Sequence, residues 1–161
     1  MIWPLAAGTN IIRGNSTRNT FGPVRRDSAG KVKNHQGWDF RAPVGTPFFA
    51  IDDGVVEAIE PRGALGLVCM LRCDTPHPET GARVYALYAH LQSVAVSIGD
   101  RVNAGDGLGL TGNSGNAEGL DDSEDHLHFE IRTPDPWPGL GVEGRCSPIE
   151  LYDRCPLKEA V

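Results

Sequence analysis

The chain lacks any run of about 18 apolar residues, the shortest stretch that crosses a membrane as a helix, so no membrane insertion is expected. It also lacks a basic excess. With a net charge of −6 and a pI near 5.3, it has no visible basic stripe of the kind a nucleic-acid binder needs. Nor does it gain long-range attraction to an anionic surface. Aromatic residues make up only 7%, and no useful length of sequence repeats its apolar residues at helical spacing. The first residues, Met1-Ile2-Trp3-Pro4-Leu5-Ala6-Ala7-Gly8, contain no Lys or Arg, and Pro4 and Gly8 interrupt the apolar stretch. That is not a convincing signal peptide. The four cysteines, Cys69, Cys73, Cys146 and Cys155, form no C-x₂-C pair, which argues against a four-cysteine zinc knuckle.

What the chain has in abundance is turn chemistry: 20 Gly and 12 Pro in 161 residues. That composition favours short strands joined by tight turns, in one domain able to bury roughly 70% of its unfolded surface. Residues 1–20 read as an extended arm. Segments 48–51 and 54–60, around the Asp52-Asp53-Gly54 turn, read as a hairpin. Segments 66–73, 83–91 and 126–132 read as further strands, with a long polar loop over 112–125. In 83–91, Val84, Ala86, Tyr88 and His90 share one face by strict alternation. Residues 133–161 form a Pro-rich tail packed on the same domain, with one helical turn near 148–152. The expected fold is all-β: a small antiparallel sheet, as a sandwich or partly closed barrel, with long loops and little helix. Cys69 and Cys73 would lie about 13 Å apart on one strand face, too far to bridge. The spacing of Cys146 and Cys155 permits a bridge in an oxidising compartment.

The chemistry concentrates in the histidines. In His126-Leu127-His128-Phe129-Glu130-Ile131-Arg132, strand alternation puts His126, His128, Glu130 and Arg132 on one face. His35 and Asp39 form H-x-x-x-D, and His90 sits in Tyr88-Ala89-His90-Leu91. Catalytic zinc takes three ligands from His and Asp/Glu and keeps a fourth position for water. His77, between Pro76 and Pro78, has no partner pattern and is expected to be exposed and inert.

In order along the chain come His35-Gln-Gly-Trp-Asp39, Gly45-Thr-Pro47, Asp53-Gly-Val55, Tyr88-Ala-His-Leu91, Gly99-Asp-x-Val102, Gly105-Asp106, Thr111-Gly112 and His126-Leu-His-Phe-Glu130. This ordered set resembles the lysostaphin-type zinc endopeptidases, which cut peptidoglycan cross-bridges and stem peptides. The resemblance covers roughly residues 21–132 and makes that span the zinc endopeptidase domain. It implies that His35, Asp39 and His128 bind one Zn²⁺ and that His90 and His126 flank the open position. His126 is then the expected general base and His90 the orienting group, although sequence leaves their order open. No motif position is missing. A non-catalytic binding module on the same scaffold, activating other wall hydrolases, predicts missing ligands. A carrier or phosphotransfer barrel would not need H-x-x-x-D together with H-x-H.

The implied substrate is bacterial peptidoglycan, met in the periplasm or cell wall. With no evident signal peptide, the expected routes are secretion-system delivery as an antibacterial effector, phage lysis, or a signal already removed. An immunity or delivery-apparatus protein is the partner such a role implies. Trp38 and Tyr88 are candidate substrate contacts, each with simple packing as the alternative. Glu130 reads either as a support for a zinc-bound imidazole or as a salt bridge with Arg132. The loop Glu118-Gly-Leu-Asp-Asp-Ser-Glu-Asp125 is longer and more acidic than in the family. It reads as a solvated surface, as a lid, or as a groove border where Asp121, Asp122, Glu124 and Asp125 select a cationic group.

Overall fold

The computed structural model describes residues 1–157. Among them lie eleven short strands, five 3-10 turns and one α-helical turn. The strands are β1 (Gly22–Arg26), β2 (Val32–His35), β3 (Trp38–Arg41), β4 (Pro47–Phe49), β5 (Gly54–Pro61), β6 (Leu67–Cys73), β7 (Tyr85–Val94), β8 (Arg101–Val102), β9 (Gly107–Thr111), β10 (His126–Arg132) and β11 (Arg145–Cys146). The turn α1 (Ile149–Tyr152) follows. The fold is all-β, antiparallel and not closed. β1 and β2 form a separate ribbon, and the main sheet runs β11-β10-β7-β6-β5-β8. β3 adds to β10, and β9 joins β4 to β7.

The expected hairpin of 48–51 with 54–60 does not form. β4 pairs with β9, and β5 pairs with β6 and β8. The intervening Asp-Asp-Gly turn is committed elsewhere. The Asp52 carboxylate accepts the Thr75 N–H and hydroxyl, and Asp53 accepts the Ala104 N–H. These bonds splay the two segments onto different partners.

One face of the sheet carries the main core, built from Phe40, Phe48, Leu71, Tyr88, Leu127 and Phe129 among others. The arm closes it: Leu5 and Ile12 are buried there, and Trp3 stacks on both Trp38 and Tyr152. A smaller cluster, Val68, Met70, Tyr85, Leu87 and Ala89, covers the opposite face. All four cysteines are free thiols.

β10 follows its alternation: Leu127, Phe129 and Ile131 enter the main core. β7 does not, and the departure matters. Tyr88 faces the main core, Ala89 the opposite cluster, and Leu91 the main core again. His90 between them has φ +59, and the ladders to β6 and β9 slip a residue on either side. This bulge turns two consecutive residues, Ala89 and His90, to the same face. It moves His90 off the face of Tyr88, where strict alternation had put it. A left-handed non-glycine residue costs roughly 1–2 kcal/mol, and such strain collects at functional sites.

Candidate metal centre

Three strands and one bulge assemble the histidines. β10 pairs with β3 so that His128 lies opposite Asp39, and with β7 so that His128 lies opposite Ala89. His35 ends β2, and the turn through Gly37 crosses directly over β10. A Cβ on Gly37 would sit 2.2 Å from the Phe129 carbonyl oxygen, so only glycine allows this approach.

The side chains of His35, Asp39 and His128 converge, all buried. His35 Nε2 lies 3.2 Å from His128 Nδ1 and 3.1 Å from Asp39 Oδ1. His128 Nδ1 lies 2.8 Å from the same oxygen. Ligands at 2.0–2.1 Å from a tetrahedral zinc sit about 3.3 Å apart, so a slight widening admits the ion. Outer hydrogen bonds aim the lone pairs inward. His35 Nδ1 donates to the Thr20 carbonyl at 2.9 Å, and His128 Nε2 donates to Glu130 Oε1 at 3.0 Å. The His35 imidazole then presents its bare Nε2 to Asp39 Oδ1, and the inner nitrogen of His128 donates to that oxygen until a metal takes its proton's place.

Glu130 anchors this arrangement. Its other oxygen accepts Arg132 Nε and Arg145 Nε, both at 2.8 Å. Both readings of Glu130 therefore hold at once: it supports an imidazole and it pairs with Arg132. These partners, His128 foremost, hold Glu130 far below the ordinary carboxylate range despite its burial. Burial pushes His128 down, but the hydrogen bonds and charges of Asp39 and Glu130 outweigh it and hold the imidazole at about 9. A metal ion entering here displaces that proton. Asp39 likewise stays well below its usual range, because the bonds from His128 and His35 overcome its burial. Its second oxygen is taken by Arg25 at 2.5 Å.

His90 and His126 stand beside this cluster, with ring centres 4.8 Å apart. Their Nδ1 atoms donate to the carbonyls of Ser114 (2.9 Å) and Glu124 (2.8 Å), which leaves both Nε2 lone pairs free. His126 Nε2 lies 3.8 Å from Asp39 Oδ1. Burial, then the charges of His128 and His126, lower His90 to about 4. Burial also lowers His126. Both imidazoles are neutral acceptors at pH 7.

These groups open into a groove of about 1000 Å³, lined also by arm residues such as Arg13 and Arg18 and by Trp137 and Leu140. The expected substrate contacts fall elsewhere. Trp38 is 1% exposed beneath Trp3 and Tyr152. Tyr88 is fully buried in the core, its hydroxyl accepting the Ile51 N–H. Neither borders the groove, because each side chain projects into the core face of its strand. Asp121, Asp122 and Asp125 do not line it either. Asp121 caps the Ser123 N–H, and Asp125 is buried near the Val44 N–H. From that loop, Glu124 reaches the groove, where it pairs with Arg13 at 2.9 Å. His77 is also not exposed: it is 2% accessible and lies beside Glu150. The chain folds the 74–81 loop back onto α1, a long-range contact that its flanking prolines do not signal. Sequence reasoning missed Thr20, Arg25, Ser114 and Arg145. Thr20 and Ser114 act through backbone carbonyls, and Arg25 and Arg145 are isolated arginines outside any motif, which carry no signal.

A model of peptidase family M23 matches residues 33–139, more than half of the chain. The peptidoglycan DD-endopeptidase ShyC of Vibrio cholerae serotype O1 is 36% identical over 114 residues, 70% of this chain and 24% of that protein. A zinc-containing peptidase from Vibrio cholerae superposes with a TM-score of 0.66 at 26% identity, covering 82% of this chain and 36% of that one. LytU superposes with a TM-score of 0.66 at 30% identity, covering 83% and 81%. The chain spans about a quarter of the length of the curated relatives it matches. The matched span runs through all five converging side chains, from His35 to His128, and the chain belongs to peptidase family M23.

Proposed function

We propose that the chain is a zinc-dependent endopeptidase that hydrolyses peptide bonds in bacterial peptidoglycan. The observation that carries this reading is the inward aim of four imidazoles, each fixed by an outer acceptor. Two of them, with Asp39, form a ligand set, and two remain neutral beside it. The names of the similar DD-endopeptidases support the substrate. The place of action that follows is the periplasm or cell wall, and the role we infer is that of a delivered antibacterial effector or phage lytic module.

His35, Asp39 and His128 would hold the zinc. When bound, it supplies a Lewis acid for the scissile carbonyl and lowers the pKa of water toward 7. The chain's own residues handle the protons. His126 Nε2, the closer to Asp39, accepts the proton of the attacking water and returns it to the leaving amine. His90, fixed by Ser114, orients the reacting groups from the opposite side. Acid–base help of this kind is worth about 10²–10⁴ in rate.

The test is digestion of purified peptidoglycans of different cross-link type, with and without a chelator, reading released fragments by mass. We expect chelator-sensitive release of peptide fragments. His35→Ala should lose zinc and activity, while His126→Ala keeps zinc and loses activity. Full activity in both variants would reject the assignment.

A further inference from the structure

The charge of the groove runs against the charge of the chain. The protein carries a net −6, yet Arg13, Arg18, Arg25, Arg62, Arg132 and Arg145 all line the groove. Five of these are already matched. Arg13 pairs with Glu124, Arg25 with Asp39 and Arg62 with Glu60. Arg132 and Arg145 share Glu130. Arg18 is the exception. It is exposed, and its guanidinium has no carboxylate or hydrogen-bond partner among the described residues.

Its backbone, in contrast, is firmly placed. Arg18 sits in a short 3-10 turn, Thr17–Asn19, whose start is capped by Ser16. Its carbonyl accepts Arg25 Nε at 3.0 Å, and Arg25 is the residue that holds Asp39. The next residue, Asn19, is buried and accepts from both Arg13 and Arg25. The one after, Thr20, fixes His35. An unpaired arginine thus lines the groove on a stretch of chain bonded to His35 directly and to Asp39 through Arg25.

We propose that Arg18 is a specificity-determining residue that pairs with a free carboxylate on the bound peptide, near the bond that is cut. This rests on the peptidase reading above and names its substrate class: acidic stem peptides rather than uncharged bridges such as oligoglycine. A guanidinium presents a planar fork that matches a carboxylate. The acidic loop supplies no counterpart for a cationic group, since its one carboxylate in the groove, Glu124, is spent on Arg13.

The test uses the zinc-loaded His126→Ala chain, which holds substrate without cutting it. Two stem peptides, identical but for a carboxylate or a carboxamide, are titrated by calorimetry. With Arg18 present, the carboxylate peptide should bind about tenfold more tightly. R18Q should erase that gap without changing affinity for the carboxamide, and R18K should keep part of it. Equal affinities with Arg18 present, or a gap that survives R18Q, overturn the proposal. Cleavage by the chain with intact His126 is read separately. A gap without cleavage of either peptide rejects the peptidase reading and leaves the subsite standing; cleavage of both with no gap does the reverse.

Discussion

Among the described residues, two regions gather side chains of metal-ligand type within 4.8 Å: His35, Asp39 and His128 in one, His77, Cys146 and Glu150 in the other. They differ in how the histidines are held. In the first, the far nitrogens of His35 and His128 donate to a carbonyl and a carboxylate, so the inner nitrogens face the ion once the shared His128 proton is displaced. In the second, His77 Nδ1 accepts the N–H groups of Glu79 and Thr80. That fixes the hydrogen on Nε2, the atom 3.3 Å from Glu150. Burial, followed by the Glu150 charge, lifts the Cys146 thiol to about 12, so it stays protonated. Ligand types in proximity are therefore insufficient. The outer hydrogen bonds decide whether lone pairs or protons point at the ion.

The strongest way to break this comparison is to count metal. His128→Ala should take bound zinc from one per chain to none and reduce peptidoglycan hydrolysis by at least about 10³-fold, the worth of roughly 4 kcal/mol of charge stabilisation. His77→Ala should leave the count at one, as measured by native mass spectrometry. Zinc lost from both variants would mean that the two clusters are equivalent.

Removing an outer bond should matter less than removing a ligand. Glu130→Gln leaves every ligand atom in place but weakens the acceptor that aims His128. Zinc affinity, read by chelator competition, should fall about 10–100-fold. The change also strips a carboxylate from Arg132 and Arg145, both nearly buried. A buried pair broken on one side costs about 3–5 kcal/mol, so melting should report the same variant. An unchanged zinc affinity would show that the outer bond does not aim the ligand.

How much of this was legible beforehand depended on whether the information was local. Period-2 alternation placed His126, His128 and Glu130 on one face of β10, because every residue there obeys the pleat. The all-β class followed from turn chemistry and the absence of helical spacing. His90 failed the same rule, because a bulge is set by its neighbours' register and leaves no trace in the residue itself. Trp38 and Tyr88 are buried by what covers them, namely the arm, α1 and the opposite strands. His77 and the hairpin at Asp52-Asp53-Gly54 were misjudged for one reason: long-range contacts, to Glu150 in one case and to Thr75 and Ala104 in the other, overrode local turn signals.

The bulge carries its own pH signature. His90 is held at about 4, against about 6.5 in an unfolded chain. The fold disfavours its proton. Stability from neutral His90 is therefore complete above pH 6.5 and is lost as pH falls toward 4, by roughly 3 kcal/mol. His90→Asn removes the titration and keeps a residue that tolerates positive φ. Between pH 6.5 and 4 the variant should lose less melting temperature than the parent. A constant offset between the two across that window would mean that His90 is not held neutral.

The smallest effect belongs to the second cluster, and it separates a structural histidine from a ligand. His77 caps its own loop through Nδ1, a role an asparagine oxygen reproduces while a methyl group does not. His77→Ala exposes the Glu79 and Thr80 N–H groups to a site without an acceptor and should cost about 1–3 kcal/mol. His77→Asn should recover most of that. Both should bind one zinc and cut peptidoglycan at rates within about twofold of the parent, since no residue of the 74–81 loop lines the groove. If Asn restores stability but activity stays low, the 74–81 loop is coupled to the metal centre across the sheet, and the division between the two clusters is weaker than their hydrogen bonds imply.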